Sequence, residues 1–283
     1  MSDADNFSTE QAINPYYTDD TINLEVAKSE HTAIKTAFES AGIKVDQVES
    51  PINCQDGVYA ANWALVRGNK AVLARLPNAR KAEESYAKAA LEARGIEVHE
   101  VPGTYHFSGQ GDALPCGELL FCGSTYRSDA EAQEFAAKTL GYTRIQLRAA
   151  PELDEDGREM INKASGWADS FFYDIDLALA IIKPPTDSHK GLIAYCPEAF
   201  VPESRKILEN LEAVDKIIVN YEEATKGFAC NLVSTGETVI MSAEAPQLRQ
   251  DIEAHGLSVI TPTVKELAKG GGYIRCVSLS FND

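Results

Sequence analysis

Hydrophobic and polar positions switch between two periods along this chain, in a recurring order. A stretch with apolar residues at helical spacing runs to a glycine, and a short alternating strand follows. From about Leu24 an amphipathic stretch ends at Ala41-Gly42, where Ile43-Lys44-Val45 begins a strand. A run from about Ala79, rich in Ala, Glu and Lys, ends at Arg94-Gly95 before Ile96-Glu97-Val98. Asp129 to Lys138 leads through Leu140-Gly141 to Thr143-Arg144-Ile145, and Ala245 to Ala254 leads through His255-Gly256 to Leu257-Ser258-Val259. Pro202 to Leu211 leads into Ala213 to Val219 without the glycine.

Each unit also predicts a strand pair joined by turn-forming residues. Val58 to Val66 pairs with Ala71 to Leu76, Asp112 to Leu114 with Leu119 to Cys122, Asp169 to Ile182 with Gly191 to Tyr195, and Leu232-Val233 with Thr238 to Met241. Tyr273 to Phe281 reads as a last strand, with Gln11 to Ile13 as its partner. Self-similarity at this scale predicts an α/β fold of five ββαβ units. The C-terminal strand would complete the N-terminal unit and close a ring. No Gly/Ser/Pro-rich linker divides residues 1–283, so one domain is expected.

Composition narrows the function classes. Hydrophobic residues are 44% and charged residues 24% of the chain, which is globular usage. No apolar run approaches the ~18 residues of a membrane-spanning helix, and the polar, acidic start is no signal peptide. The six cysteines lack C-x-x-C spacing and read as buried thiols of a reducing, cytoplasmic protein. No ligand cluster implies a metal, and nothing implies an organic cofactor. A net charge of −17 repels nucleic acid and mildly favours a small cationic ligand. Monomer and homodimer both stay open.

Four segments set polar residues among apolar ones: Tyr59 to Ala64 with Asn62, Phe107 to Leu114 with Ser108 and Asp112, Phe172 to Leu177 with Asp174 and Asp176, and Gly270 to Cys276. Each has a plain structural alternative. Asn62 would cap a turn, Asp112 would satisfy backbone N–H groups, and Cys276 would be an inert core thiol. On a strand, Asp174 and Asp176 share one face, and two buried like charges call for a cation or partner such as a guanidinium. Glycines 270–272 precede a strand-like pattern rather than a helix, which fits close backbone approach, with Gly271 near the ligand, and not a phosphate loop.

The order of these motifs resembles the guanidino-group-modifying (pentein) superfamily, which includes arginine deiminases, amidinotransferases, dimethylarginine dimethylaminohydrolases and arginine dihydrolases. Ile13-Asn14-Pro15-Tyr16, Ala61-Asn62, Gly109-x-Gly111-Asp112, Asp174-x-Asp176 and Gly270-Gly271-Gly272-x-x-x-Cys276 carry it across essentially the whole chain. The resemblance implies a five-bladed α/β propeller. It implies Cys276 as the nucleophile that attacks a guanidinium carbon, in a hydrolase or amidinotransferase. It also implies Asn62 and Asp176 as guanidinium contacts, Asp112 in a glycine turn, Arg127 (assisted by Arg80) for a substrate carboxylate, and Asn14 on the substrate side. Two positions depart from the pattern. Asp174 stands where the family has a histidine, and Ser108 or Gly109 where it has a glutamate, so Asp174 becomes the expected acid/base, with His106 as a substitute. The competing reading is a binding or scaffold protein that kept the fold and lost catalysis.

Overall fold

The computed structural model describes residues 1–11, 21–124, 126–161 and 169–281. Among the described residues, twelve strands form four three-stranded sheets. The first holds β1 (Ala64–Arg67), β2 (Lys70–Leu73) and β3 (Glu97–Glu100), and the second β4 (Ala113–Cys116), β5 (Leu119–Ser124) and β6 (Thr143–Arg148). The third holds β7 (Leu179–Lys183), β8 (Gly191–Tyr195) and β9 (Val214–Ile218), and the fourth β10 (Val233–Ser234), β11 (Thr238–Ile240) and β12 (Ser258–Ile260). In each sheet the first two strands form an antiparallel hairpin and the third lies parallel to the second.

A parallel neighbour needs a crossover, and a helix supplies it every time. These helices are α2 (Ala82–Glu92), α3 (Ala130–Leu140), α4 (Pro202–Asn210) and α6 (Pro246–Ala254). α1 (Leu24–Ser40) begins at Asn23, whose side chain accepts the Val26 N–H, and α5 (Tyr221–Lys226) is an additional short helix. Gly42, Gly95, Gly141 and Gly256 all adopt positive φ just past a helix, as the sequence pattern requires. β8 is buried along its whole length.

Three expectations need correction. Tyr273 to Phe281 forms no strand; the chain turns at Ile274–Val277, where the Ser278 N–H donates to the Arg275 carbonyl at 3.1 Å. A closing C-terminal strand is therefore not formed. The N-terminal segment contributes one isolated parallel bridge, Ser2 to Val48, and residues 12–13 of its expected partner strand lie outside the described residues. The long first strands are also shorter than their apolar runs suggest. Ala60–Trp63 and Ile175–Leu177 are 3-10 turns, because the local N–H groups bond back three residues: Leu177 to Asp174 and Ala178 to Ile175. Asp174 and Asp176 thus sit on a turn and not on one face of a strand.

Candidate active site

The same device recurs in each sheet: a tight turn immediately precedes the first strand and carries a polar side chain inward. Ala60–Trp63 presents Asn62 before β1, Gly109–Gly111 leads to Asp112 before β4, and Ile175–Leu177 presents Asp176 before β7. Before β10, Asn231 occupies the corresponding place. Glycine allows the turns to interlock. A Cβ at Gly109 would lie 2.9 Å from the Ala61 and Ala64 carbonyl oxygens.

Cys276 is buried at the centre of this set. Its Sγ lies 3.5 Å from Asp176 Oδ2 and accepts the Asn231 side-chain N–H at 3.1 Å. The other end of that amide, Oδ1, accepts the backbone N–H groups of Arg275 (2.8 Å) and Cys276 (3.2 Å). Ala61 N–H donates to the Cys276 carbonyl at 3.0 Å. Asn231 therefore fixes both the backbone and the sulfur of Cys276. Burial, then the charge of Asp176, pushes the Cys276 thiol well above its ordinary range. Burial, then the charge of Asp174, raises the Asp176 carboxyl to about 8, with Arg275 pulling the other way. Burial likewise raises Asp112 and lowers Arg275. At rest the thiol and the carboxyl beside it are thus both held toward their protonated forms.

Asp174 has different company. Oδ1 accepts the Ser108 hydroxyl at 2.8 Å, while Oδ2 accepts the Asn62 amide at 2.9 Å and faces Arg127 Nη1 at 3.5 Å. The Arg127 guanidinium stacks on the Tyr173 ring at 4.1 Å, and the Tyr173 hydroxyl donates to the Gly271 carbonyl at 2.5 Å. Gly271 has φ +85°, which favours glycine there. Ser108, Asn62 and Arg127 thus converge on Asp174, and Gly271 is tied to the group through Tyr173. Asp112 stands one step back: it accepts the Ser128 hydroxyl (2.7 Å) and the Ile175 N–H (2.9 Å), fixing the turn that carries Asp176.

Arg80 and His106 lie elsewhere than the sequence suggested. Arg80 is 2% exposed and locked onto both oxygens of Glu83, at 2.8 and 2.7 Å, and its Nη1 donates to Asn62 Oδ1 at 2.7 Å. It orients Asn62 and offers no face to a substrate carboxylate. The His106 side chain is 43% exposed and pairs with Asp129. Asn14 lies outside the described residues.

Sequence reasoning missed Asn231, although a signal was present. Ala229-Cys230-Asn231-Leu232 echoes Ala60-Ala61-Asn62-Trp63 at the same point of its unit. It also missed Gln110, whose Oε1 accepts Arg275 Nη2 and the Ser280 N–H, both at 2.9 Å, and whose amide donates to the Ser280 carbonyl at 2.7 Å. Among the described residues no group of three or more His, Cys, Asp and Glu could hold a metal ion. No helix there is long and apolar enough to cross a membrane.

Comparison with known proteins follows the same lines. The family model for N,N dimethylarginine dimethylhydrolase, eukaryotic, matches residues 2–281. The chain belongs to that family. With it, the chain belongs to the guanidino-group-modifying (pentein) superfamily. The N(G),N(G)-dimethylarginine dimethylaminohydrolase of Mycobacterium tuberculosis is 30% identical over 278 residues, covering 98% of this chain and 83% of that protein. The bifunctional arginine dihydrolase/ornithine cyclodeaminase AgrE of Nostoc sp. is 30% identical over 242 residues, 84% of this chain but 31% of AgrE. ArgZ of Synechocystis sp., also a bifunctional arginine dihydrolase/ornithine cyclodeaminase, is 37% covered, so the chain spans about a third of these two relatives. The N-terminal domain of ArgZ, solved as a cysteine-to-serine mutant bound to substrate, superposes with a TM-score of 0.86 at 27% identity, covering 100% of this chain and 97% of that one.

Proposed function

We propose that this chain is a thiol-dependent hydrolase that cleaves a C–N bond of an arginine-like guanidino compound, with Cys276 as nucleophile. The observation that carries it is the buried contact of Cys276 Sγ with Asp176 and Asn231, at the terminal cysteine position of the family motif. The whole chain acts as one catalytic unit, and we read the four sheets plus the Ser2–Val48 bridge as five propeller blades, the fifth reduced.

The raised thiol and carboxyl call for a cation. A guanidinium entering beside Asp176 favours the charged forms of both neighbours, so the substrate itself promotes the thiolate. Sγ then bonds to the guanidino carbon, forming an amidino-thioether while the C–N bond breaks. Asp176, its own proton lost to solvent as the cation enters, takes the thiol proton, passes it to the leaving amine, and then takes one from the attacking water. Asp176 does the work that the family histidine does elsewhere. Asp174, already accepting from Ser108 and Asn62, accepts from the substrate's nitrogens, and Arg127 beside it takes the substrate carboxylate. A related ArgZ domain has been solved covalently bound to a reaction intermediate, which supports a covalent route.

The test is acid-quenched mass spectrometry with L-arginine and dimethyl-L-arginine. An adduct on the Cys276 peptide and loss of turnover in Cys276→Ala are expected. Full turnover in Cys276→Ala overturns the proposal. Binding of both compounds with neither adduct nor product favours the non-catalytic reading, to which the raised thiol also lends weight.

A further inference from the structure

A cavity of about 480 Å³ reaches the site and does not surround the nucleophile. Of the residues around Cys276 it touches Asp176 and Arg275, and Cys276, Asn62, Ser108 and Arg127 are not part of its wall. Its course follows from the topology. The tight turns that carry the polar residues stand at one end of β4, β7 and β10, and the hairpin turns stand at the other. The cavity is lined along these three strands, by Leu114, Leu179 and Val233 among others, and reaches the turn residues Glu118 and Thr235. Glu118 and Thr235 are exposed, whereas Leu114, Leu179 and Asp176 are buried. It is a passage from solvent at the hairpin turns to Asp176 at the centre.

The inner end is unusual. Asp176 Oδ2 faces the thiol, and its Oδ1 is buried with no hydrogen-bond partner among the described residues. A buried carboxylate oxygen without a partner is costly unless something polar reaches it. A passage of this volume holds on the order of ten or more waters.

We propose that this passage brings the hydrolytic water to Asp176 and carries the released small amine out, while the amino-acid part of the substrate is held on the Asn62, Ser108 and Arg127 side. The idea rests on the hydrolase reading above. In the first step the S–C bond forms and the C–N bond breaks, and the nitrogen leaves as ammonia or a short alkylamine carrying one added proton. In the second, a water oxygen bonds to the same carbon as the C–S bond breaks, and Asp176 takes a water proton. The covalently held remainder still fills the substrate side, so amine and water must exchange on the other side of the reacting carbon. Asp176 bounds that side.

Val233→Phe, within the passage, and Thr235→Trp, at its mouth, narrow it without touching the residues that contact Cys276. Rapid-quench mass spectrometry separates adduct formation from its breakdown. In both variants the adduct should form within about twofold of the parent rate, showing that the fold and the front of the site are intact, while turnover falls at least about tenfold and adduct accumulates. Unchanged turnover overturns the passage and leaves the hydrolase reading standing. So does adduct formation that slows in step with turnover, which would make the cavity the substrate entrance. A parent protein that forms neither adduct nor product overturns the hydrolase reading, and the passage falls with it.

Discussion

At the scale of single residues, Cys276 is held by two neighbours that act on it in opposite directions. Asn231 donates to the sulfur and so favours the thiolate, whereas the negative charge of Asp176 opposes it. Asn231→Ala should therefore move the pH profile of Cys276 alkylation to higher pH, and Asp176→Asn should move it to lower pH. Iodoacetamide kinetics followed on the Cys276 peptide would show either shift, and shifts of the same sign would contradict the pairing. Asp176 also makes a prediction for stability. Its carboxyl titrates near 8 when folded against about 3.9 when unfolded. Between those values the folded state binds more protons than the unfolded one, so stability falls as pH rises from about 4 through about 8. Asp176→Asn should flatten that decline, read as the urea midpoint at each pH. Much of this was legible in the sequence, since motif order pointed to Cys276, Asn62 and Asp176. Asn231 was not, because Leu232-Val233 reads as the opening of a strand and hides the turn before it. Which of two neighbouring aspartates meets the thiol was also out of reach, since it depends on a 3-10 turn that the apolar run conceals.

At the scale of elements, helix ends were the most readable feature and strand beginnings the least. A glycine at positive φ marks a helix end by steric necessity, but a short apolar run looks alike whether it extends or turns. The turns themselves depend on close approach. A Cβ at Gly111 would lie 2.8 Å from Asp174 Oδ2 and press on the Asn62 amide, whereas one at Gly256 would meet nothing within 4 Å and suffer only from φ +80°. Gly111→Ala should cost about 1–3 kcal/mol in stability and also depress turnover, because the side chains displaced are those of the site. Gly256→Ala should cost about 1 kcal/mol and leave turnover unchanged. Thermal melts beside initial rates would separate the two.

At the scale of the whole molecule, the charge of −17 makes the chain a collector of cations. The kcat/KM for a guanidinium substrate should fall as salt rises from about 0.02 M to about 0.5 M, while a neutral ureido analogue should show little change. Steady-state rates in the two salts decide it. The ββαβ repeat was visible from the sequence as a spacing of helices and hairpins. That no fifth sheet forms among the described residues was not, because Tyr273 to Phe281 alternates like a strand although the N–H groups of Arg275, Cys276 and Ser280 donate to side chains. That choice bears on how the protein comes to be active. The turn bearing Cys276 is secured by Asn231, 45 residues away, by Asp176, 100 away, and, through Arg275, by Gln110, 165 away. Contacts of such range form late in folding, after the local hairpins and helices have paired. A newly made chain would thus carry an unguarded thiol until its last docking step, so catalytic competence and protection of that thiol from oxidants should arrive together, as the signal that folding is finished.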